Sequence, residues 1–134
     1  MDEVVYRHNA KLSATQFVDI LTRSTLSGRR PVGDLDRIGG MLKHGNILIT
    51  AWVGDLCVGV SRALSDFSFC CYLSDLAVDK AYQHRGIGKK LIEQTHIAAG
   101  ENATLILLAA PDAAAYYPKI GMERFTDCFL IRRK

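Results

Sequence analysis

Apolar residues recur along this chain with two periods, near two and near 3.6, and the switches between them outline a fold. Val4-Val5-Tyr6-Arg7 has the makeup of a short strand. Ser13 with Gln16 three residues on is a capping-box pattern, and Phe17, Ile20 and Leu21 follow at helical spacing, so a helix is predicted to about Leu26. Residues 27–33 form a loop. Asp34 caps a second helix bearing Leu35, Ile38, Met41 and Leu42, and Gly45 ends it. Residues 47–53 and 56–64 are strand-like, joined by Gly54-Asp55, a two-residue hairpin connection. Residues 69–78 form another strand. A glycine-bearing loop leads into a helix over 86–99, with Ile87, Leu91, Ile92 and Thr95 on one face and Gly100 as its stop. Residues 104–110 predict a continuous apolar strand buried on both faces. A short helix over 112–119 and a terminal strand pair over 123–133, turning at Thr126-Asp127, complete the chain.

The order is β-α-α-β-β-β-α-β-α-β-β. An α/β mixed sheet with helices on both faces fits it, and the β–α–β crossover is right-handed. At 134 residues, one domain over 1–134 is expected, with no linker, repeat or low-complexity stretch. The 49% apolar and 23% charged fractions exclude a disordered or fibrous chain. A net charge of +3 is too mild to argue for nucleic acid. No apolar run approaches the roughly 20 residues of a membrane helix, and the acidic N-terminus has no apolar segment behind it, so a cytoplasmic protein is expected. Cys57, Cys70, Cys71 and Cys128 show no zinc spacing; all four are expected to be reduced and mostly buried, and no metal is expected.

The chemistry concentrates where strand 69–78 runs through a loop into helix 86–99. Gly86 and Gly88 lie where the helix begins. There the backbone can approach a bulky anion, and the free N–H groups and helix dipole favour phosphate. Lys89 and Lys90 have the wrong sign for that dipole, and a ligand with several phosphates would explain them. Taken alone, the hexapeptide reads first as a tight strand-to-helix turn with solvated lysines. The segment is neither a Walker loop nor a dinucleotide fingerprint, which disfavours a kinase or an NAD enzyme.

Gln83-His84-Arg85-Gly86-Ile87-Gly88, preceded by Leu76-Ala77-Val78-Asp79 and Tyr82, resembles motif A of the GCN5-related N-acetyltransferase (GNAT) superfamily. Tyr116-Tyr117-Pro118-Lys119-Ile120-Gly121-Met122 resembles a second family motif, and the element order resembles the family fold over nearly the whole chain. The resemblance implies acetyl-CoA as co-substrate. Its pyrophosphate would sit on the amides of Gln83, His84, Arg85, Gly86, Ile87, Gly88 and Lys89, and its pantetheine arm would pair with Leu76, Ala77 and Val78. An amide near Leu76 would polarise the thioester. Many relatives carry an Asn after the strand that follows the CoA helix; here that stretch is Ala109-Ala110-Pro111-Asp112. Met122 stands where Phe is common.

The reaction implied is direct attack of an amine on the thioester in a ternary complex. Family placement makes Tyr117 the proton donor to the departing thiolate, with packing of its ring as the alternative, and leaves Tyr116 to pack. Asp75 is the candidate base or else a structural hydrogen-bond partner; Asp66 and Asp79 stand behind it. The acceptor would be walled by residues 27–34 and 128–133, where Arg29 and Arg30 either hold an acidic group on the substrate or are solvated loop charges. Trp52, Phe67, Phe69 and Tyr72 form an apolar slot or fill the core. The short chain favours a small primary amine over a protein. A protein lysine or N-terminal acetyltransferase and a silent acyl-CoA-binding module are the alternatives; nucleic acid and membrane are not expected partners. Homodimerisation, common in the family, leaves no mark in the sequence.

Overall fold

The computed structural model describes residues 3–134. Its five strands are β1 (Val5–His8), β2 (Ile47–Val53), β3 (Leu56–Ser65), β4 (Cys70–Val78) and β5 (Thr104–Leu107), and its helices are α1 (Ala14–Arg23), α2 (Leu35–His44), α3 (Ile87–Ala99) and a single turn, α4 (Tyr116–Lys119). The strands lie side by side in chain order. Pairing is antiparallel from β1 to β4 and parallel between β4 and β5.

The start of α1 follows from its sequence. Ser13 Oγ accepts the Gln16 N–H at 3.1 Å, and Gln16 Oε1 accepts the Ser13 N–H at 2.9 Å, closing the expected capping box. The helix then buries Phe17, Ile20 and Leu21 completely against one sheet face, together with Ile38 of α2, Trp52, Val60 and Ala77. Each such side chain contributes roughly 1.5–3 kcal/mol. On the opposite face α3 buries Ile87, Leu91 and Ile92 against Ile47, Ile49, Ala51 and Leu73. Thr95 fastens this layer: its hydroxyl lies 2.6 Å from that of Ser61 on β3, and both are buried.

Several expectations change. Residues 27–33 are only partly loop, because Leu26–Arg29 form a 3-10 turn. The strand expected over 104–110 stops at Leu107 and is not buried on both faces; Ile106 is 56% exposed. It lies at the edge of the sheet, so its outer side meets no neighbour. The strand pair expected over 123–133 is absent: these residues adopt no regular structure, since there is no packed surface beneath them. The helix expected over 112–119 is a 3-10 turn, Pro111–Ala113, followed by α4. Cys57 and Cys71 are buried, but Cys70 and Cys128 are exposed, which corrects the expectation of four mostly buried thiols.

Candidate active site

The site begins with an interruption in β4. Arg62 of β3 pairs with Asp75 and Ala63 with Leu73, so Ser74 is an extra residue, a β-bulge. Beyond it β4 separates from β5, whose pairing spans only Cys70↔Thr104 to Leu73↔Leu107. Residues 74–78 therefore hold β3 on one side and no strand on the other. On that free side the Ser74 carbonyl accepts from Arg30 Nη2 at 2.7 Å, and the Val78 carbonyl accepts from Gln83 Nε2 at 3.2 Å. The period of two puts the N–H and C=O of Leu76 on the same edge, between these two plugs. An extended amide-bearing chain can add there as a strand.

The edge runs directly into the loop. Asp79 organises the corner: its carboxylate accepts the Ala81 N–H at 2.8 Å and an Arg23 Nη1–H at 2.5 Å, while Arg23 also donates to the Cys57 carbonyl at 2.7 Å. Asp79, a secondary base candidate, is thus bound into the loop's foundation. Lys80–Tyr82 make a 3-10 turn, and the Arg85 guanidinium lies 5.0 Å over the Tyr82 ring. His84 (φ 66°) and Gly86 (φ 81°) are both left-handed. Gln83, His84, Arg85, Gly86 and Lys89 are exposed and Ile87 is buried. The first N–H of α3 satisfied within the helix is that of Lys90, which donates to the Gly86 carbonyl at 3.1 Å. Of the earlier amides of the turn, that of Lys89 meets the Tyr116 hydroxyl and the others have no carbonyl partner within the helix, as an anion site needs.

Tyr116 enters this turn, where the sequence led us to expect only packing. A Cβ at Gly88 would stand 2.9 Å from the Tyr116 hydroxyl, so glycine is what admits that ring. Burial pushes the Tyr116 phenol up, and the Lys89 backbone N–H at its oxygen pulls it partly back. Tyr117 stacks edge-on against it at 5.3 Å and packs on the core beneath α3. Burial, then Tyr116, raises the Tyr117 phenol above its usual value. A raised phenol is protonated at neutral pH, the state a donor requires. The GxG spacing was visible in the sequence; a tyrosine 28 residues away filling the space over Gly88 was not.

Asp75 lies at the centre of a buried ion cluster. One carboxylate oxygen accepts from Arg30 Nε and the other from Arg62 Nε; Arg62 also donates to Ser74 Oγ at 3.1 Å and to the Met41 carbonyl at 3.1 Å. Asp75 is fully buried and Arg62 nearly so. The cluster ties the bulge to α2 and to the 3-10 turn. Arg30, expected to be free for a substrate, has an internal partner; Arg29 is exposed. Asp66 lies at the other end of β4, accepting the N–H groups of Ser68, Phe69 and Cys70 at 2.8–3.1 Å, which hold its carboxyl down at about 2. It shapes a turn away from the loop. Trp52 is buried, its Nε1 donating to Thr50 Oγ1 at 2.7 Å, while Phe67 and Phe69 are exposed, so these aromatics do not form one slot.

Residues 44–124 match the family model described as Acetyltransferase (GNAT) domain. The chain is 29% identical over 129 residues to the uncharacterized N-acetyltransferase ycf52 of Porphyra purpurea, covering 92% of this chain and 72% of that protein. It is 32% identical over 68 residues to the histone acetyltransferase TAP1 of Glycine max, covering 49% of this chain and 29% of that one; the chain thus spans well under half of that relative's length. The GNAT family protein SP0256 of Streptococcus pneumoniae superposes with a TM-score of 0.71 at 19% identity, over 98% of this chain and all of that one. The aminoglycoside N-acetyltransferase AAC(6')-Iy in complex with CoA superposes with a TM-score of 0.72 at 14% identity, over 100% of this chain and 97% of that one.

Proposed function

The chain belongs to the GNAT acetyltransferase family and is an acyltransferase, and from that premise we propose that it moves the acetyl group of acetyl-CoA to a primary amine of a small molecule by direct attack in a ternary complex. The observation that carries this reading is the free edge of β4 at Leu76 opening onto the amides left without a carbonyl partner at the start of α3. An acyl-CoA has the matching parts in the same order: an extended chain with two amides, then a pyrophosphate. Gln83, His84, Arg85, Gly86, Ile87 and Gly88 supply the backbone for the anion, the Lys89 N–H being held by the Tyr116 hydroxyl, and Leu76, Ala77 and Val78 supply the strand. Leu76 N–H is aimed where negative charge gathers on a thioester oxygen.

Tyr117 is the donor to the departing thiolate in this reading. Asp75 acts at one remove, because both its oxygens already accept from guanidinium groups: it positions Arg30 and the bulge, and the amine loses its proton to water. Arg29, exposed beside them, is the charge left to meet an acidic group on the acceptor. A small acceptor is favoured by aminoglycoside acetyltransferases among the structural neighbours, one in complex with sisomicin. The similarity to a histone acetyltransferase covers only 49% of this chain, which makes a protein lysine the second reading. The setting for this chemistry is cytoplasmic; among the described residues no helix is long and apolar enough to cross a membrane.

The test is thermal unfolding with acetyl-CoA, CoA and ATP, followed by thiol release against a panel of amines. Acetyl-CoA at about 100 times its Kd stabilises the fold by about 2.7 kcal/mol. Stabilisation with amine-dependent thiol release is the expected result. Absence of stabilisation overturns the acyl-CoA site, and stabilisation with release only to peptide lysines moves the acceptor to a protein.

A further inference from the structure

We propose, resting on the acyl-CoA reading above, that Arg30 ends the acyl pocket and so limits the length of the acyl group: acetyl and propionyl enter, and longer straight chains are turned away. The geometry lies on the free side of β4. Asp79 N–H donates to the Val58 carbonyl, so Ala77 and Asp75 also direct their backbone groups to β3, and Val78, Leu76 and Ser74 direct theirs to the open side. Two side chains occupy that side: Gln83 donates to the Val78 carbonyl at 3.2 Å and Arg30 to the Ser74 carbonyl at 2.7 Å. A pantetheine arm arriving from the phosphate turn passes Val78, then Leu76, and next meets Ser74. Gln83 is exposed and holds its carbonyl by one contact, which a pantetheine amide can replace. At Ser74 the guanidinium stands where a neighbouring strand would lie, and it is far harder to move.

Arg30 is fastened at every nitrogen. Its Nε donates to Asp75, its Nη2 to the Ser74 carbonyl, and its Nη1 to the Arg29 carbonyl at 2.8 Å. The anchor is itself fixed, since Asp75 is fully buried and its other oxygen accepts from Arg62. Swinging Arg30 aside strips a buried carboxylate of one of its two cations and leaves the Ser74 carbonyl without a donor, which makes the wall stiff. Its position sets the length. Leu76 N–H marks the thioester oxygen, and Ser74 lies two residues on, roughly 6.6 Å at about 3.3 Å per residue. Van der Waals contact with the guanidinium, at about 3.5 Å, leaves about 3 Å beyond the carbonyl carbon. An ethyl group fits that space and a propyl group does not. A longer alkyl chain would also press hydrocarbon onto a charged group, which costs solvation as well as room.

The experiment needs no acceptor: calorimetric titration of the full chain with CoA, acetyl-CoA, butyryl-CoA and hexanoyl-CoA. The readout is the ratio of the hexanoyl-CoA to the acetyl-CoA Kd, so a general loss of affinity does not mimic the effect. In the native chain the ratio is expected to be about tenfold or more, with butyryl-CoA between. Arg30→Ala is expected to bring it to within about twofold of unity; Asp75 keeps Arg62 in that variant. Arg30→Lys keeps a cation for Asp75 but has no second nitrogen for the Ser74 carbonyl, and is expected to lower the ratio at least threefold. It carries the test if the alanine variant does not melt cooperatively. A native chain that binds hexanoyl-CoA as tightly as acetyl-CoA overturns the proposal. So does a tenfold ratio that persists in the variants, which puts the barrier on another residue. In both results CoA still binds. A native chain that binds neither CoA nor any of its thioesters overturns the acyl-CoA reading, and the role of Arg30 with it.

Discussion

Tyr116, Tyr117 and Asp75 carry different tasks, and single substitutions separate them. Tyr117→Phe is expected to lower kcat at least tenfold while the acetyl-CoA KM moves less than twofold; an unchanged kcat reduces the ring to packing. Gly88→Ala drives a methyl into the Tyr116 hydroxyl at 2.9 Å, but the ring carbon behind that oxygen would be an ordinary 3.6 Å away. The substitution should therefore destabilise the native chain by about 1–3 kcal/mol and be near neutral in a Tyr116→Phe background, which a double-mutant cycle measures. Asp75→Ala leaves two guanidinium groups, one of them buried, without their anion, and is expected to cost about 3–5 kcal/mol in denaturant unfolding. Asp66 titrates at about 2 in the folded chain, against about 4 unfolded. Its contribution is therefore complete above about pH 4 and is lost as pH falls through about 2. Asp66→Ala should melt below the native protein at neutral pH, and the two melting curves should converge near the bottom of that range.

At the scale of elements, the start of α1 and the end of β4 show what periodicity could and could not deliver. Ser13 and Gln16 announced a capping box and formed one; Ser13→Ala is expected to cost about 1 kcal/mol of stability by thermal melting. The loop from Gln83 to Lys89 was equally legible, because glycine spacing at a strand–helix junction constrains the backbone locally. The bulge at Ser74 was not, since an extra residue in one strand depends on its partner's register and leaves the period of two intact on either side. Nor was the Arg30–Asp75–Arg62 cluster, which joins residues 45 and 13 positions apart; one sequence gives three charges but no distances. The terminal strands failed for a related reason. The β-forming residues Phe125 and Cys128 to Ile131 suit a strand, but a strand forms only against an edge, and composition alone does not say whose.

The whole molecule is a meander that turns into a crossover at β4, and the site lies where the two regimes meet. Antiparallel pairing holds β4 on its β3 side along its length, while parallel pairing ends at Leu73, so the opening is a product of topology rather than of any one side chain. The strand order also has a temporal consequence. Strands lie in the sheet in the order in which a ribosome delivers them, and β2, β3 and β4 are joined by connections of only a few residues. Such closures carry little entropic cost and form fast, whereas β5 must wait for the whole of α3. The nascent chain can thus assemble its first four strands before α3 and β5 have left the ribosome. The free edge of β4 beyond Leu73 is meanwhile an exposed template, open to whatever else emerges beside it.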